Sequence, residues 1–219
     1  MDNPYADIVQ GTAEWRAIRC GKVTGSRVAD LTATTKSGVS ASRARYMGEL
    51  IAERLTGVPT ETFQSLDMLA GKEKEAAARW LYEFRYDVDI QQIGFVTHPK
   101  IPMSGASPDG YIGDTGGVEL KCPIIATHIE TLMTHKCPGN YLKQIQWNMA
   151  CDGRAWRDYV SFCPEMPANM QFFVKRIPRD AAMIHDLEKQ VVAFLVELDA
   201  KLCTLQSAYD LTAVLEKSA

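Results

Sequence analysis

The fold is decided by Ser107-Pro108-Asp109-Gly110, which is followed after eight residues by Glu119-Leu120-Lys121. Residues two apart in a strand share a face, so Glu119 and Lys121 point the same way while Leu120 turns into the core. A hairpin between the two segments brings the Asp109 carboxylate beside Glu119. Taken alone, the first motif is typical of an ordinary turn. Together the two motifs predict a pair of facing carboxylates next to a lysine.

Two facing carboxylates repel each other unless a cation joins them, so the pattern indicates a hard divalent metal with oxygen ligands. Lys121 adds a positive charge for a developing phosphate anion, or perturbs a water molecule. Metal-assisted attack of water on a phosphodiester needs this combination. A third carboxylate, Glu75, lies either at the rim of the metal site or in an exposed i,i+4 pair with Arg79. Gln144 and Gln146 either contact substrate or are polar positions on a half-buried helix.

The segments around these motifs alternate between helical and strand periodicity. Helices are predicted at residues 41–55, 66–86, 127–135 and 140–151, and a last helix is predicted at about 180–205 with Asp180 as its N-cap. Strands are predicted at 88–97, 101–107, 110–112, 118–122, 156–162 and 170–177, with a turn at Gly116-Gly117. The fold class is α/β in the broad sense, an α+β mixed sheet flanked by helices.

Composition sets wider limits. The 219 residues carry a net charge of −3 and are 46% hydrophobic, which excludes wholesale disorder. We expect a single domain over residues 1–219, although two small ones also fit the length. Bulk charge argues against a nucleic-acid binder, but residues 16–54 carry +5 and residues 180–219 carry −4. The basic segment is either an uneven solvated surface or a site for an anionic polymer.

Several function classes receive no support. No run approaches the ~20 apolar residues of a membrane span, and the first residues do not resemble a signal peptide. The six cysteines are typical of reduced thiols in a cytoplasmic protein. No Walker A loop is present, so we expect no ATP motor in this chain.

The Asp…Glu-x-Lys pattern resembles the PD-(D/E)xK nuclease superfamily, which has a restriction-endonuclease-like core. The order of motifs over roughly residues 12–165 resembles the lambda exonuclease, or YqaJ-type viral recombinase, family. These motifs are Trp15, Arg19, Gly21, Thr24-Gly25-Ser26, Gly71-Lys72…Glu75, Ser107-Pro108-Asp109-Gly110, Val118-Glu119-Leu120-Lys121-Cys122-Pro123 and Tyr141…Gln144-Ile145-Gln146.

The resemblance implies a phage-type alkaline exonuclease that digests one strand of duplex DNA from 5′ to 3′, releasing mononucleotides and leaving 3′ overhangs. It implies Mg²⁺ as cofactor, with Mn²⁺ as a substitute. It further implies a processive homotrimeric ring that takes double-stranded ends with a 5′-phosphate and works with a single-strand annealing protein. The expected location is the cytoplasm of a bacterial host, with a prophage as one source of the gene.

The resemblance also assigns roles to individual residues. Asp109 and Glu119 would be metal ligands together with the main-chain carbonyl of Leu120, and Lys121 would activate or orient the attacking water. Glu75 would contact a second metal or its water.

A second group of residues would hold the DNA. Arg19 and Ser26 would grip the terminal 5′-phosphate, and Gln144 would lie near the active site. Met68 would help to splay the duplex end. The basic segment from Lys36 to Arg45 departs from the family pattern, so which of Lys36, Arg43 and Arg45 contacts the DNA stays open; Arg45 is the expected contact.

Two alternatives stay open. One is another PD-(D/E)xK nuclease, either an endonuclease or a RecB-like enzyme. The other is a DNA-end-binding module without catalysis, in which Asp109, Glu119 and Lys121 are only surface residues.

Overall fold

The structure is a computed structural model, which describes residues 3–35, 38–60 and 66–209, without the side chains of residues 66–70 and 72. Its helices are α1 (Ala13–Arg19), α2 (Val28–Leu31), α3 (Ala41–Thr56), α4 (Leu66–Tyr86), α5 (Ile125–Thr134), α6 (Gly139–Asp152) and α7 (Ala181–Ala208). Its strands are β1 (Val23–Thr24), β2 (Thr34–Thr35), β3 (Gly38–Val39), β4 (Val96–Thr97), β5 (Ser104–Ala106), β6 (Gly110–Ile112), β7 (Gly116–Lys121), β8 (Trp156–Phe162) and β9 (Phe172–Pro178).

The largest sheet has the order β6-β7-β8-β9. Its outer pairs are antiparallel, and the central pair β7–β8 is parallel, with α5 and α6 in the crossover. A second sheet has the order β1-β5-β4, and β2 pairs with β3 alone. The prediction of a mixed sheet flanked by helices is confirmed.

Apolar side chains cover both faces of the central strands. Tyr159 packs with α6 and α7 in one buried cluster, whereas its neighbour Val160 packs with α4 in the other. In that second cluster, Ala78 and Tyr82 of α4 lie against Leu120 of β7. This alternation is the period of two that the sequence pattern predicts. It fixes α4 and α6 on opposite sides of the strand that carries Glu119.

The ends of the long helices follow ordinary capping chemistry. Ser40 accepts a hydrogen bond from the backbone of Arg43 at the start of α3, and Gly57 ends that helix with a φ of 68°. Asp180 caps α7 as predicted, and the helix continues to Ala208. No helix in the described part of the chain is long and apolar enough to cross a membrane.

The predicted strand at 88–97 is wrong for most of its length, because only β4 is a strand there. The backbone N–H groups of Gly94 and Phe95 donate to the carbonyls of Ala6 and Tyr5, at 2.8 and 3.1 Å. The N-terminal segment therefore accepts backbone hydrogen bonds from Gly94 and Phe95 in place of a neighbouring strand. The alternating pattern of residues 88–97 reflects side-chain packing in an irregular segment.

The predicted turn at Gly116-Gly117 is also wrong. Both glycines begin β7, and the connection lies at residues 113–115. A Cβ on Gly116 would lie 2.1 Å from the Trp156 ring, and one on Gly117 would lie 2.5 Å from the guanidinium of Arg157. These glycines are needed for the close approach of β8 side chains, not for a turn.

Candidate active site

The β6–β7 hairpin brings the predicted carboxylates together. Gly110 pairs with Val118, so Asp109 and Glu119 lie at adjacent positions of the two strands. The backbone N–H of Leu120 donates to Oδ2 of Asp109 at 2.7 Å. This bond fixes the Asp109 side chain at the end of the hairpin and leaves its other oxygen for a ligand.

Glu119 is completely buried, and three donors converge on its carboxylate. Lys121 Nζ lies 2.6 Å from Oε1, and Gln144 Nε2 donates to the same oxygen at 2.5 Å. Asn148 Nδ2 donates to Oε2 at 2.8 Å. A buried carboxylate requires such partners, so these contacts explain why Glu119 is held in one orientation.

Asn148 is a site residue that sequence reasoning missed. It lies one helical turn after Gln144 on α6, and the Gln-x-x-x-Asn spacing was the available signal. A Cβ on Gly25 would lie 2.4 Å from Oδ1 of Asn148. The Thr24-Gly25-Ser26 motif therefore packs directly on the helix that orients Glu119.

The two carboxyl groups are difficult to ionise in the absence of a cation. Burial raises the pKa of Asp109 to about 6, with Lys121 opposing the rise and Glu75 adding to it. Burial also raises the pKa of Glu119 to about 7, and the charge of Asp109 contributes to that rise. For Lys121, burial acts to lower the pKa, but the charges of Glu119 and Asp109 outweigh it and hold the pKa above its ordinary value.

Glu75 lies on α4 and lines the same cavity as Asp109. Its Oε1 accepts a hydrogen bond from Arg79 Nη2 at 3.2 Å, which is the i,i+4 pair that the sequence offered as the alternative. The charge of Glu75 also raises the pKa of Asp109, so Glu75 lies close enough to act on the acidic pair.

The donor set fits a hard cation. Asp109 and Glu119 supply carboxylate oxygens, and Leu120 follows Glu119 on β7, where its carbonyl is a further oxygen. Among the described residues, no group of three or more His, Cys, Asp or Glu side chains lies close enough to hold a metal. A cation at Asp109 and Glu119 would therefore need Glu75 to turn from Arg79, or water to complete its ligands.

Arg19 forms a separate cationic pocket on the wall of the cavity. Its guanidinium donates to Ser107 Oγ at 2.9 Å and to Thr24 Oγ1 at 3.3 Å, and it stacks 4.1 Å above the ring of Trp15. Burial lowers the pKa of Arg19 to about 10. A shielded guanidinium that contacts hydroxyl groups and an aromatic face has donors to offer an anion.

A cavity of about 1190 Å³ connects these groups. Its lining includes Arg19, Ser26, Glu75, Arg79 and Asp109. Ser26 is exposed and lines the same cavity as Arg19.

Other predicted contacts lie elsewhere. Gln146 is buried, donates to the carbonyl of Pro178 and accepts from the backbone of Asp180, so it joins α6 to the start of α7. Arg45 is 80% exposed and pairs with Glu49 on the outside of α3.

Two of the residues named for DNA contact cannot be placed. The side chain of Met68 and the whole of Lys36 lie outside the described residues.

The basic segment is partly neutralised within the molecule. Arg43 Nη2 lies 2.7 Å from Glu197 Oε2, and Arg54 Nη1 lies 2.5 Å from Asp199 Oδ1. Both acidic residues belong to α7. Helix α7 therefore neutralises part of the basic segment, and Arg43 contributes to the packing of α3 on α7.

The chain is similar to solved structures of exonucleases. The alkaline exonuclease LHK-Exo from Laribacter hongkongensis is 47% identical with a TM-score of 0.82, over 90% of this chain and 97% of that chain. A structure of LHK-Exo in complex with dAMP matches at the same identity and coverage, with a TM-score of 0.84. A phage related exonuclease from Haemophilus somnus 129PT shares the fold, with a TM-score of 0.65 at 13% identity over 84% of this chain and 96% of that one.

A comparison with curated protein sequences finds no match. A family model for the YqaJ-like viral recombinase domain matches residues 14–155, which is more than half of the chain. These residues include Arg19, Asp109, Glu119 and Lys121. The chain therefore belongs to the YqaJ-like viral recombinase domain family.

Proposed function

We propose that this protein is a metal-dependent deoxyribonuclease that digests one strand of linear duplex DNA from 5′ to 3′. It would release mononucleotides and leave 3′ single-stranded overhangs for recombination by strand annealing. The observation that carries the proposal is the shielded Asp109–Glu119–Lys121 cluster beside a cavity that also holds Arg19. The likeness to an alkaline exonuclease at 47% identity supports it, and dAMP, bound in a structure of that relative, is a mononucleotide.

Asp109, Glu119 and the Leu120 carbonyl would hold Mg²⁺, or Mn²⁺ in its place, and Glu75 would serve a second metal or its water. A bound divalent cation supplies polarisation of the phosphodiester and a more acidic water. In the metal-free protein, the charges of Glu119 and Asp109 hold the pKa of Lys121 above its ordinary value. Lys121 would activate or orient the attacking water, or stabilise the phosphate anion. Gln144 and Asn148 would hold Glu119 during the reaction.

Arg19 and Ser26 would take the terminal 5′-phosphate. The planar fork of an arginine suits phosphate oxygens, and a hydroxyl adds a neutral donor. A receptor for the end group next to the cleavage site gives the reaction its direction. It would also draw the new 5′-phosphate forward after each cut, which favours processive digestion.

A homotrimeric ring around the DNA and a single-strand annealing partner complete the proposal, as does action in the cytoplasm of a bacterial host without ATP. Arg45, exposed on α3, and Met68 would meet the duplex. Size-exclusion chromatography with light scattering tests the ring, and elution as a monomer under all conditions would contradict it.

Digestion of a linear duplex with 5′-phosphorylated ends tests the activity directly. We expect progressive loss from the 5′ end with Mg²⁺ and no loss with EDTA. Cleavage of closed circular DNA would favour an endonuclease instead. Binding without digestion in Mg²⁺ or Mn²⁺ would favour the non-catalytic module and refute the proposal.

A further inference from the structure

Arg79 lies one helical turn after Glu75 on α4, on the wall of the cavity that holds Asp109 and Arg19. The helix beneath it is anchored, because Ala78 and Tyr82 are buried against Leu120 of β7. Leu120 lies between Glu119 and Lys121, so the anchor fixes α4 relative to the reactive groups. The position of the Arg79 guanidinium is therefore set by the same strand that carries the catalytic candidates.

The guanidinium has more donors than its present contact uses. An arginine has five N–H donors, and Glu75 is its hydrogen-bond partner among the described residues. That contact is 3.2 Å long, whereas charge-assisted bonds are typically about 2.7–2.9 Å. Nε is buried without a partner in the described part of the chain, and the side chain is 18% exposed. Arg79 is thus a shielded cation with a loose anionic partner.

We propose that Arg79 is a further phosphate-binding residue, which exchanges Glu75 for a backbone phosphate of the strand being degraded. The inference rests on the proposed nuclease function and extends it. Arg19 would hold the terminal phosphate, and Arg79 would contact the phosphate that enters beside Asp109. A phosphate offers its oxygens to the arginine fork in a two-point geometry that the single contact with Glu75 does not achieve.

The exchange also accounts for the position of Glu75. Its charge already acts on Asp109, so a carboxylate released from Arg79 is adjacent to the acidic pair. In the free protein, the charges of Arg79 and Glu75 oppose each other inside the cavity. When DNA is bound, the guanidinium would face a phosphate, and the carboxylate would face the acidic pair, where a divalent cation would compensate the added negative charge.

Salt-dependent binding measures the phosphate contact independently of catalysis. The probe is a fluorescein-labelled blunt duplex with 5′-phosphates, titrated in EDTA by fluorescence anisotropy at several KCl concentrations. Loss of one phosphate contact lowers the slope of log affinity against log salt by about one. We expect this decrease for Arg79→Ala and not for Arg79→Lys, which keeps the charge. Arg85→Ala, an exposed arginine of the same helix, is the matched control and should keep the wild-type slope.

Digestion in Mg²⁺ supplies the second measurement. We expect Arg79→Ala to lower the rate about 100-fold while keeping the preference for 5′-phosphate over 5′-hydroxyl ends, and Arg79→Lys to recover about a tenth of the wild-type rate. If Arg79→Ala unfolds, Arg79→Lys carries the test with its tenfold loss of rate.

Three results would overturn the inference. One is a wild-type salt slope in Arg79→Ala, and another is a loss of end preference in that variant. The third is a slope change that disappears in a Glu75→Gln background, because Arg79 would then act only through Glu75. Absence of digestion by the wild type refutes the nuclease itself, while the salt slopes still decide whether Arg79 contacts phosphate.

Discussion

Asp109→Asn should make the metal-free protein more stable while removing its activity. Asparagine keeps an oxygen that can accept the hydrogen bond from the Leu120 N–H, which is 2.7 Å long in the structure. It removes the negative charge that lies beside Glu119 and Glu75. The substitution therefore tests how much the buried charge lowers the free energy of unfolding, while the shape of the side chain stays nearly the same.

The size of the effect follows from the pKa of Asp109. Burial raises it from 3.8 to about 6, so the folded protein holds this proton more tightly than the unfolded chain does. The free energy of unfolding therefore falls as the pH rises from the unfolded value through the folded one, and it stays low above that range. The rise corresponds to about 3 kcal/mol, an upper bound because the side chain keeps some contact with solvent.

Thermal unfolding in EDTA measures this difference. For a chain of this length, each kcal/mol shifts the midpoint by about 2–4 °C, so Asp109→Asn should gain up to about 6–12 °C at about pH 8. The gain should shrink at about pH 5, where the wild-type carboxyl is mostly protonated. Asp114→Asn, in the exposed connection of the same hairpin, is the matched control and should change little at either pH. Added Mg²⁺ should stabilise the wild type and leave Asp109→Asn unchanged.

A lower midpoint for Asp109→Asn at about pH 8 would refute the reasoning. A gain that is equal at both pH values would do the same, because it would reflect packing and not charge. If the pH-dependent gain is found but Mg²⁺ stabilises both proteins equally, the charge argument stands and Asp109 is not a metal ligand.

Three further predictions concern the reaction. Lys121→Ala should abolish digestion yet keep DNA binding in a mobility-shift assay, and full activity in this variant would exclude the proposed role. Arg19→Ala should reduce processivity and equalise the digestion of 5′-phosphate and 5′-hydroxyl ends; a wild type that already treats both ends equally would argue against the pocket. The Mg²⁺ concentration for half-maximal rate should fall from about pH 6 to about pH 8, because protons on Asp109 and Glu119 compete with the cation. A half-saturation value independent of pH would contradict this.

The hairpin could be predicted from the sequence because its signals are local. Alternation over residues 118–121 determines which side chains share a face. The turn that sets the register of the hairpin lies at residues 113–115 and was not predicted. The capped helices could also be predicted, because their capping residues and helical periodicity are local signals. The failures at 88–97 and at Gly116-Gly117 both come from distant partners. The N-terminal segment accepts the backbone hydrogen bonds of Gly94 and Phe95 within residues 88–97. Side chains of β8 approach Gly116 and Gly117 so closely that only glycine fits there.

The same distinction applies to the site. Asp109, Glu119 and Lys121 stand close together in the sequence and in the structure, so their spacing was sufficient. The Gln-x-x-x-Asn spacing places Asn148 on the same face of α6 as Gln144, but its contact with Glu119 depends on the packing of α6 on β7. Gln144 and Gln146 look equivalent in the sequence, but they lie on different faces of α6. The helix orientation decides that one holds Glu119 and the other holds the start of α7.

The net charge of a sequence segment says little about DNA binding, because some of its charged residues are paired within the protein. The basic residues Arg43 and Arg54 form ion pairs with α7, so they are occupied before any nucleic acid arrives. Among the described residues, the hydrogen-bond partners of Arg19 are neutral, and Arg79 makes one long contact with a carboxylate. These two guanidinium groups line the cavity that holds Asp109. An enzyme that advances along DNA, as we propose for this protein, would benefit from this distribution, because each added phosphate contact strengthens salt-dependent binding and slows release. A few cations directed into one cavity can thus position a phosphodiester in a protein whose net charge is −3.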